Sequence, residues 1–145
     1  MDEEILYFDV RHAIEVHDYI IDVSGGLHGQ RDIGLLESAL HHIQNDLYYP
    51  TFPEKLTHLI FAVNKFHAFN DGNKRASISL GAYFLGLNGY DYCVRSFVLR
   101  MENIAVWLAE GKIDKDLLGE IILSLIEEDD YSESLKLKII EATNT

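Results

Sequence analysis

Residues 67 to 75 read HAFNDGNKR, a polar stretch between two segments whose apolar residues have helical spacing. Upstream, the apolar side chains that recur every three or four positions are Leu56, Leu59, Ile60, Val63 and Phe66. Downstream, a second helix is expected from about Asn73 to LNGY, where Gly89 suits the position just after a helix end. The stretch is therefore predicted to be the loop of a helix–loop–helix unit.

The rest of the sequence predicts further helices separated by short turns. The residues expected at or near helix starts, in chain order, are Asp9, Asp32, Pro53, Ser96, Asp114 and Ser132. Strand signals are weak, since YDYCVRSF (90–97) alternates only briefly. No repeat or linker divides the 145 residues, so we expect one all-α domain, residues 1–145, of six to seven helices.

The segment SGGLHGQ, residues 24 to 30, is expected to end the first helix. Its glycines are interpreted as turn residues, because a phosphate-binding loop of the P-loop type would have to follow a strand.

Composition narrows the class of protein. The formal net charge is −12, from 24 acidic and 12 basic residues, which disfavours direct binding to nucleic acid. A single cysteine, Cys93, cannot form an internal disulfide and suits a reducing compartment. The N-terminal residues lack the pattern of a signal peptide and no apolar run could span a membrane, so a cytoplasmic protein is expected.

The predicted loop combines the parts of a phosphate-transfer site. The start of the following helix presents free N–H groups and a partial positive charge, with Lys74 and Arg75 beside it. Asp71 is suited to bind a phosphate-associated magnesium ion, and Gly72 lets the backbone approach a ligand closely. His67 can accept a proton near neutral pH, as a general base must.

A loop of this composition is also compatible with a simple role. It would then be a solvated turn in which Gly72 serves only the backbone geometry. His67 would then lie near a helix C-terminus, where a cationic imidazole is favoured by the helix dipole. The residues alone leave both interpretations open.

HAFNDGNKR closely resembles the signature of the Fic/Doc family, HxFx(D/E)(G/A)N(G/K)R. HDYIIDVSGGLHGQRDIGLLESAL and FLGLNGY look similar to the death-on-curing (Doc) branch, and the resemblance covers residues 9–128. Residues 129–145 would be an extra C-terminal helix. The resemblance implies a helical Fic fold with the motif between two central helices, and ATP with Mg²⁺ as the donor.

The resemblance also implies roles for individual residues. His67 would be the general base and Asp71 the metal ligand. The implied catalytic residues are His67, Asp71, Lys74 and Arg75, and the implied nucleotide-binding and phosphate-binding residues are Gly72, Asn73, Lys74 and Arg75. By analogy with Doc, the target would be a threonine of translation elongation factor Tu, the outcome would be growth arrest, and a separate antitoxin chain would inhibit the enzyme.

Two positions depart from the Fic enzymes that transfer AMP. Those enzymes have a second glycine and a second arginine where this chain has Lys74 and Ile78. Doc-type members, which resemble kinases, share a lysine at this position. A lysine side chain would fill the space that glycine leaves for a diphosphate. The resemblance therefore predicts transfer of a phosphoryl group. The alternatives are a protein adenylyltransferase and a catalytically silent binding module of the same fold.

Residues outside the motif have smaller expected roles. The resemblance implies a short flap that docks the target at the aromatic segment DLYYPTFP (46–53), although its aromatic residues, Tyr48, Tyr49 and Phe52, are equally suited to pack on the core. Lys65 is expected to be solvated or to join a basic patch. Ser124 and Glu128 partly match an inhibitory-helix pattern but are expected on the exposed side of a plain helix. The five histidines at positions 12, 17, 41, 42 and 58 are expected to be ordinary surface or partly buried residues that bind no metal.

Overall fold

The computed structural model of the protein describes residues 4–144, so residues 1–3 and 145 of the predicted domain lie outside the described residues. Within residues 4–144 the chain forms seven helices and no strand, apart from an isolated β-bridge between Gln30 and Phe69, which confirms the all-α prediction. In chain order the helices are α1 (Val10–Ser24), α2 (Ile33–His42), α3 (Phe52–Lys65), α4 (Asn73–Leu87), α5 (Asp91–Ala109), α6 (Lys115–Glu127) and α7 (Glu133–Thr143). None of these helices is both long enough and apolar enough to cross a membrane.

Most of the predicted helix starts are confirmed. At three of them, Asp9, Asp114 and Ser132, the side chain accepts a hydrogen bond from the backbone N–H three residues later, and Thr51, which was not predicted, caps α3 in the same way. Pro53 is the second residue of α3, where its missing N–H is not needed. Asp32 precedes α2 as expected, but its side chain makes no capping bond. Its ψ of 68° differs from the extended ψ of 157° to 176° at the four working caps.

The predicted start of the fifth helix at Ser96 is wrong. The helix begins at Asp91, so all of YDYCVRSF after Tyr90 belongs to it and is not a strand. Gly89, at φ 85°, reverses the chain after α4, and α5 starts only two residues later. The buried residues of α5 then follow helical spacing from its first turn, namely Cys93, Phe97, Met101, Ile104, Ala105 and Leu108.

Helices α3 and α4 form the centre of the domain. α3 packs against α2, α4, α5 and α6, and ten of its 14 residues are buried. α4 packs against α1, α3 and α5. The loop that carries the motif therefore joins the two most central helices, and the core holds both of its ends in place.

The close packing of α4 on its neighbours makes a testable prediction at Gly81. A Cβ atom there would lie 2.7 Å from Cζ of Phe97 and 3.2 Å from Cγ1 of Ile60. Phe97 and Ile60 are both buried and cannot easily move aside. We therefore expect Gly81→Ala to reduce the free energy of unfolding by about 1–2 kcal/mol, despite the better helix propensity of alanine. Urea unfolding would measure this effect.

Gly86 provides the matched control in the same helix. A Cβ atom at Gly86 would come no closer than 3.6 Å to the Asp91 carboxylate, an ordinary contact. Gly86→Ala should therefore stabilise the protein by up to about 1 kcal/mol. Equal effects of the two substitutions would contradict the packing argument.

Candidate active site

His67 lies immediately beyond the C-terminal end of α3. It is exposed, and it is the only non-glycine residue between positions 4 and 144 that has a positive φ, 54°. A histidine in this conformation is uncommon, and such strained residues concentrate at functional sites. With Arg31, Asp32 and Phe66 it lines an open cavity of about 500 Å³. No residue in the described part of the chain forms a hydrogen bond with its ring, so both ring nitrogens can meet a ligand.

The Asp71 carboxylate is held by two backbone N–H groups. Oδ2 accepts a hydrogen bond from Leu27 at 3.0 Å, and Oδ1 accepts one from Gly72 at 2.8 Å. A carboxylate has about four lone-pair positions, so these two bonds leave each oxygen able to bind a cation. The donor type fits Mg²⁺, which prefers carboxylate oxygens together with phosphate and water.

The same hydrogen bonds keep this carboxylate ionised. The N–H groups of Leu27 and Gly72 hold the pKa of Asp71 below its ordinary value, and the nearby cations Arg75 and Lys74 lower it further, while slight desolvation acts in the opposite direction. Asp71 is therefore a charged group, ready for a metal ion, throughout the neutral range.

Gly72 and Asn73 give the loop its shape. Gly72 adopts φ 75°, as expected for a glycine at this turn. The Asn73 amide donates to the carbonyl of Phe69 at 3.1 Å and accepts from the N–H of Phe69 at 3.3 Å. The side chain of Asn73 therefore closes the loop from within, which leaves its backbone N–H as the group that can face a phosphate.

The first turn of α4 has an unusual charge pattern. No side chain caps it, it contains no acidic residue, and Lys74 and Arg75 occupy it instead. Cations at a helix N-terminus are disfavoured by about 0.3–1 kcal/mol each, whereas a bound anion reverses the sign of that interaction. Free N–H groups and two cations at one point form a site suited to phosphate.

Arg75 also joins the motif to the end of α1. One terminal nitrogen of its guanidinium group donates to the hydroxyl of Ser24 and to the carbonyl of Gly25, the latter at 3.0 Å. Nη2 is not used by these bonds and remains available to a phosphate oxygen. Lys74 is exposed, and no ion pair to it is found within residues 4–144.

The segment 24–32 is the part of the site that the sequence analysis missed. It was interpreted as a turn, but it lies along the motif loop. The N–H groups of Arg31 and Asp32 both donate to the carbonyl of Ala68, at 2.8 Å and 3.0 Å, and Asn70 donates to Gly29 at 3.0 Å. The three glycines at positions 25, 26 and 29 are the sequence signal that could have indicated such a close approach of two backbone segments.

His17 was missed in the same way. Its helical spacing from Ile14 and Ile21 places it on the apolar side of α1, where it is buried, and it also contacts the motif. Its ring stacks on the buried side chain of Phe69, and its Nε2 lies 2.6 Å from the carbonyl oxygen of Asp71.

Gly26 allows the segment to approach the carboxylate, and this gives a second prediction. A Cβ atom at Gly26 would lie 2.7 Å from Oδ2 of Asp71, whereas one at Gly25 would meet nothing within 4 Å. Both glycines have a positive φ, 121° and 84°, so alanine strains the backbone at either position. Only Gly26→Ala should displace Asp71, and we expect it to weaken binding of ATP with Mg²⁺ about tenfold or more.

Gly25→Ala is the matched control, because it adds comparable backbone strain without the contact. Isothermal titration calorimetry of both variants, with melting curves for each, would separate the two effects. Equal affinities for the two variants would show that Gly26 does not set the position of Asp71.

The predicted flap residues lie away from the motif. Tyr48, Tyr49 and Phe52 are at the N-terminal end of α3, and His67 follows its C-terminal end. This helix of 14 residues is about 21 Å long. Phe52 is buried and stacks on Tyr90, Tyr49 stacks on His58, and Tyr48 is 76% exposed. The structure thus does not bring these side chains to His67, which is flanked by residues 24–32 instead.

Two other expectations need correction. Lys65 is half-buried and does not reach the motif loop, since its ammonium group donates to the carbonyls of Leu108 and Ala109 at 3.1 Å and 3.4 Å. These carbonyls end α5, where a cation is favoured by the helix dipole. Ser124 is 5% exposed and lies on the buried face of α6, while Glu128 is exposed as expected. In the described part of the chain no group of three histidine, cysteine or acidic side chains could hold a metal ion.

Comparison with known proteins agrees with the geometry of the motif. The sequence model of the Fic/DOC family matches residues 7–85. "Toxin Doc" of Mycolicibacterium smegmatis is 32% identical over 99 residues, which cover 66% of this chain and 76% of that protein. "Protein kinase doc" of Escherichia phage P1 is 35% identical over 80 residues, 52% of this chain and 63% of that protein. The matched family region contains α1 to α3, most of α4 and the whole loop from His67 to Arg75, and the chain belongs to the Fic/DOC family.

Proposed function

We propose that this protein is a Doc-type toxin that transfers the γ-phosphoryl group of ATP to a hydroxyl group of a target protein. The observation that carries the proposal is the first turn of α4, where uncapped N–H groups and two cations lie beside the ionised carboxylate of Asp71. The helix dipole disfavours the two cations at this position, whereas a bound phosphate would be favoured by the dipole and by both cations.

Four residues of the motif have a role in this reaction. His67 takes the proton of the target hydroxyl as its oxygen attacks the γ-phosphorus, and the bond to the β,γ-bridging oxygen breaks to release ADP. The N–H groups at the start of α4, with Lys74 and Arg75, hold the phosphate oxygens. Asp71 would hold Mg²⁺, which when bound neutralises charge on the phosphates.

Lys74 supports phosphoryl transfer over adenylyl transfer. A lysine at this position fills space that glycine would leave open beside the first turn of α4, and its exposed ammonium group is free to meet the terminal phosphate. The names of the two relatives, a toxin and a protein kinase, are consistent with this choice.

We further propose that the target is a component of translation, with elongation factor Tu as the first candidate, and that a separate antitoxin chain restrains the enzyme. The name of the mycobacterial relative supports a toxin–antitoxin system. Ser124 lies on α6, which packs against α3, α5 and α7, and Glu128 directly follows this helix, so the segment gives no support for an inhibitory helix within the chain.

The decisive experiment combines purified protein, ATP, Mg²⁺ and elongation factor Tu, and it reads the intact mass of the factor. A phosphoryl increment that is absent with His67→Ala would support the proposal. An adenylyl increment would assign the protein to the nucleotidyltransferases and contradict the role of Lys74. If the factor is unchanged, the same assay on whole lysate tests for another target, and no modified protein at all would favour a silent binding module.

A further inference from the structure

His17 makes two contacts with the motif loop from the buried side of α1. It is 1% exposed, and its ring stacks on Phe69 with centroids 3.9 Å apart and planes 3° apart. Its Nε2 lies 2.6 Å from the carbonyl oxygen of Asp71. A carbonyl oxygen can only accept a hydrogen bond, so Nε2 carries the proton and donates it.

The hydrogen bond from His17 acts on a single peptide group. The carbonyl of Asp71 and the N–H of Gly72 belong to the same planar unit. His17 holds the carbonyl end of this unit, and Oδ1 of Asp71 accepts from the N–H end at 2.8 Å. Rotation of the peptide would therefore break both bonds at once, which couples the orientation of the Asp71 side chain to His17.

The packing around this peptide leaves little room for another arrangement. A Cβ atom at Gly72 would lie 3.4 Å from Nε2 of His17 and 3.1 Å from Cδ1 of Ile21. Gly72 is also the residue immediately before α4. The orientation of the Asp71–Gly72 peptide, which His17 holds, therefore determines the orientation of the Asp71 carboxylate and of the first turn of α4.

We propose that His17 is a positioning residue, which orients the Asp71–Gly72 peptide and through it the carboxylate and the anion-binding turn of α4. It does not touch the reacting atoms. Its consequence for catalysis rests on the proposed function, whereas its effect on the peptide does not.

Two substitutions of similar size separate the hydrogen bond from packing. His17→Gln keeps an N–H donor on a flexible side chain, and His17→Met does not, while both lose the aromatic stack on Phe69. His12→Met is the control in the same helix, since the His12 ring packs against Tyr83 with centroids 4.2 Å apart and its Nε2 has no hydrogen-bond partner among the described residues.

We expect His17→Met to lower kcat about 10- to 100-fold and to raise the Mg²⁺ concentration needed for half-maximal activity, with His17→Gln recovering most of the loss. His12→Met should change neither quantity more than about twofold. In the ligand-free protein, amide hydrogen exchange at Gly72 should accelerate in His17→Met and in neither other variant. Equal exchange and equal Mg²⁺ dependence in the Gln and Met variants would overturn the proposal.

The unmodified protein provides a test that does not depend on the folding of a variant. Nitrogen-15 NMR should show a protonated His17 Nε2 whose proton exchanges slowly and lies near the Gly72 amide, and an unprotonated Nε2 would overturn the inference. If the unmodified protein transfers no group to any target, the proposed function fails, and the exchange and NMR results still decide the role of His17.

Discussion

Replacing His67 with alanine is expected to lower the rate of group transfer about 10²- to 10⁴-fold, the usual contribution of a general base. The fold should persist, because His67 is exposed and lies outside both adjoining helices. The measurement is the initial rate of target modification with ATP and Mg²⁺, compared with the melting temperature of the same preparation.

A second substitution, His67→Gly, separates the loss of the imidazole from the strain of the backbone at this position. His67 has φ 54°, a conformation that costs a non-glycine residue about 1–2 kcal/mol. His67→Gly should therefore be as inactive as the alanine variant and at least as stable as the unmodified protein. His41→Ala, at an exposed histidine of α2, is the control for general loss of imidazole. Full activity in either His67 variant would exclude this residue as the base.

Substitution of Asp71 should also cause a large loss of group-transfer activity. Asp71→Asn keeps the size of the side chain but removes the charge, and one of the two N–H donors, Leu27 or Gly72, would face an amide nitrogen. We expect activity to fall about 10²-fold or more, since a bound metal contributes several kcal/mol of charge stabilisation.

The comparison for Asp71→Asn is Asp116→Asn, which alters an exposed carboxylate in the first turn of α6. Calorimetric titration with ATP, with and without Mg²⁺, separates metal binding from nucleotide binding. If Asp71→Asn binds ATP equally well in both conditions and remains active, Asp71 is not a metal ligand.

The pH dependence of the loop follows from the same carboxylate. Hydrogen bonds from Leu27 and Gly72 lower the pKa of Asp71 in the folded protein below the ordinary value of 3.8. The ionised form therefore stabilises the fold fully above the ordinary pKa, and this contribution is lost as the pH falls through the lowered folded value. Carbon-13 NMR of the Asp71 carboxyl should show a midpoint below 3.8, and Gly26→Ala should raise it; a midpoint at or above 3.8 would contradict the geometry.

The local features of this chain were predictable from its sequence. Helix starts at Asp9, Asp114 and Ser132 depend on contacts three residues away, and the motif lies within nine consecutive positions. The error at Ser96 is of the same local kind, because a capping-type residue was given more weight than the turn at Gly89. Capping residues also occur inside helices, where the cap pattern alone misleads.

The contacts that complete the site were not predictable in this way. His17 and Asp71 are 54 positions apart, and Leu27 and Asp71 are 44 apart. Helical periodicity places His17 on the inward face of α1, but it does not say which segment of the chain lies against that face. The attraction of Lys65 to the end of α5 has the same origin, since it depends on how two helices cross.

The N–H group of Leu27 that holds Asp71 also limits how this chemistry can be transplanted. A designer who grafts the nine residues HAFNDGNKR onto another helical hairpin would copy His67 and the two cations. The Asp71 carboxylate would then lose one of its two N–H donors, the one from Leu27. The smallest portable unit is discontinuous, and it consists of the loop together with residues 24–32 and the part of α1 from His17 to Ser24. Shuffling of the short motif alone between scaffolds should yield loops that match the signature and bind no nucleotide.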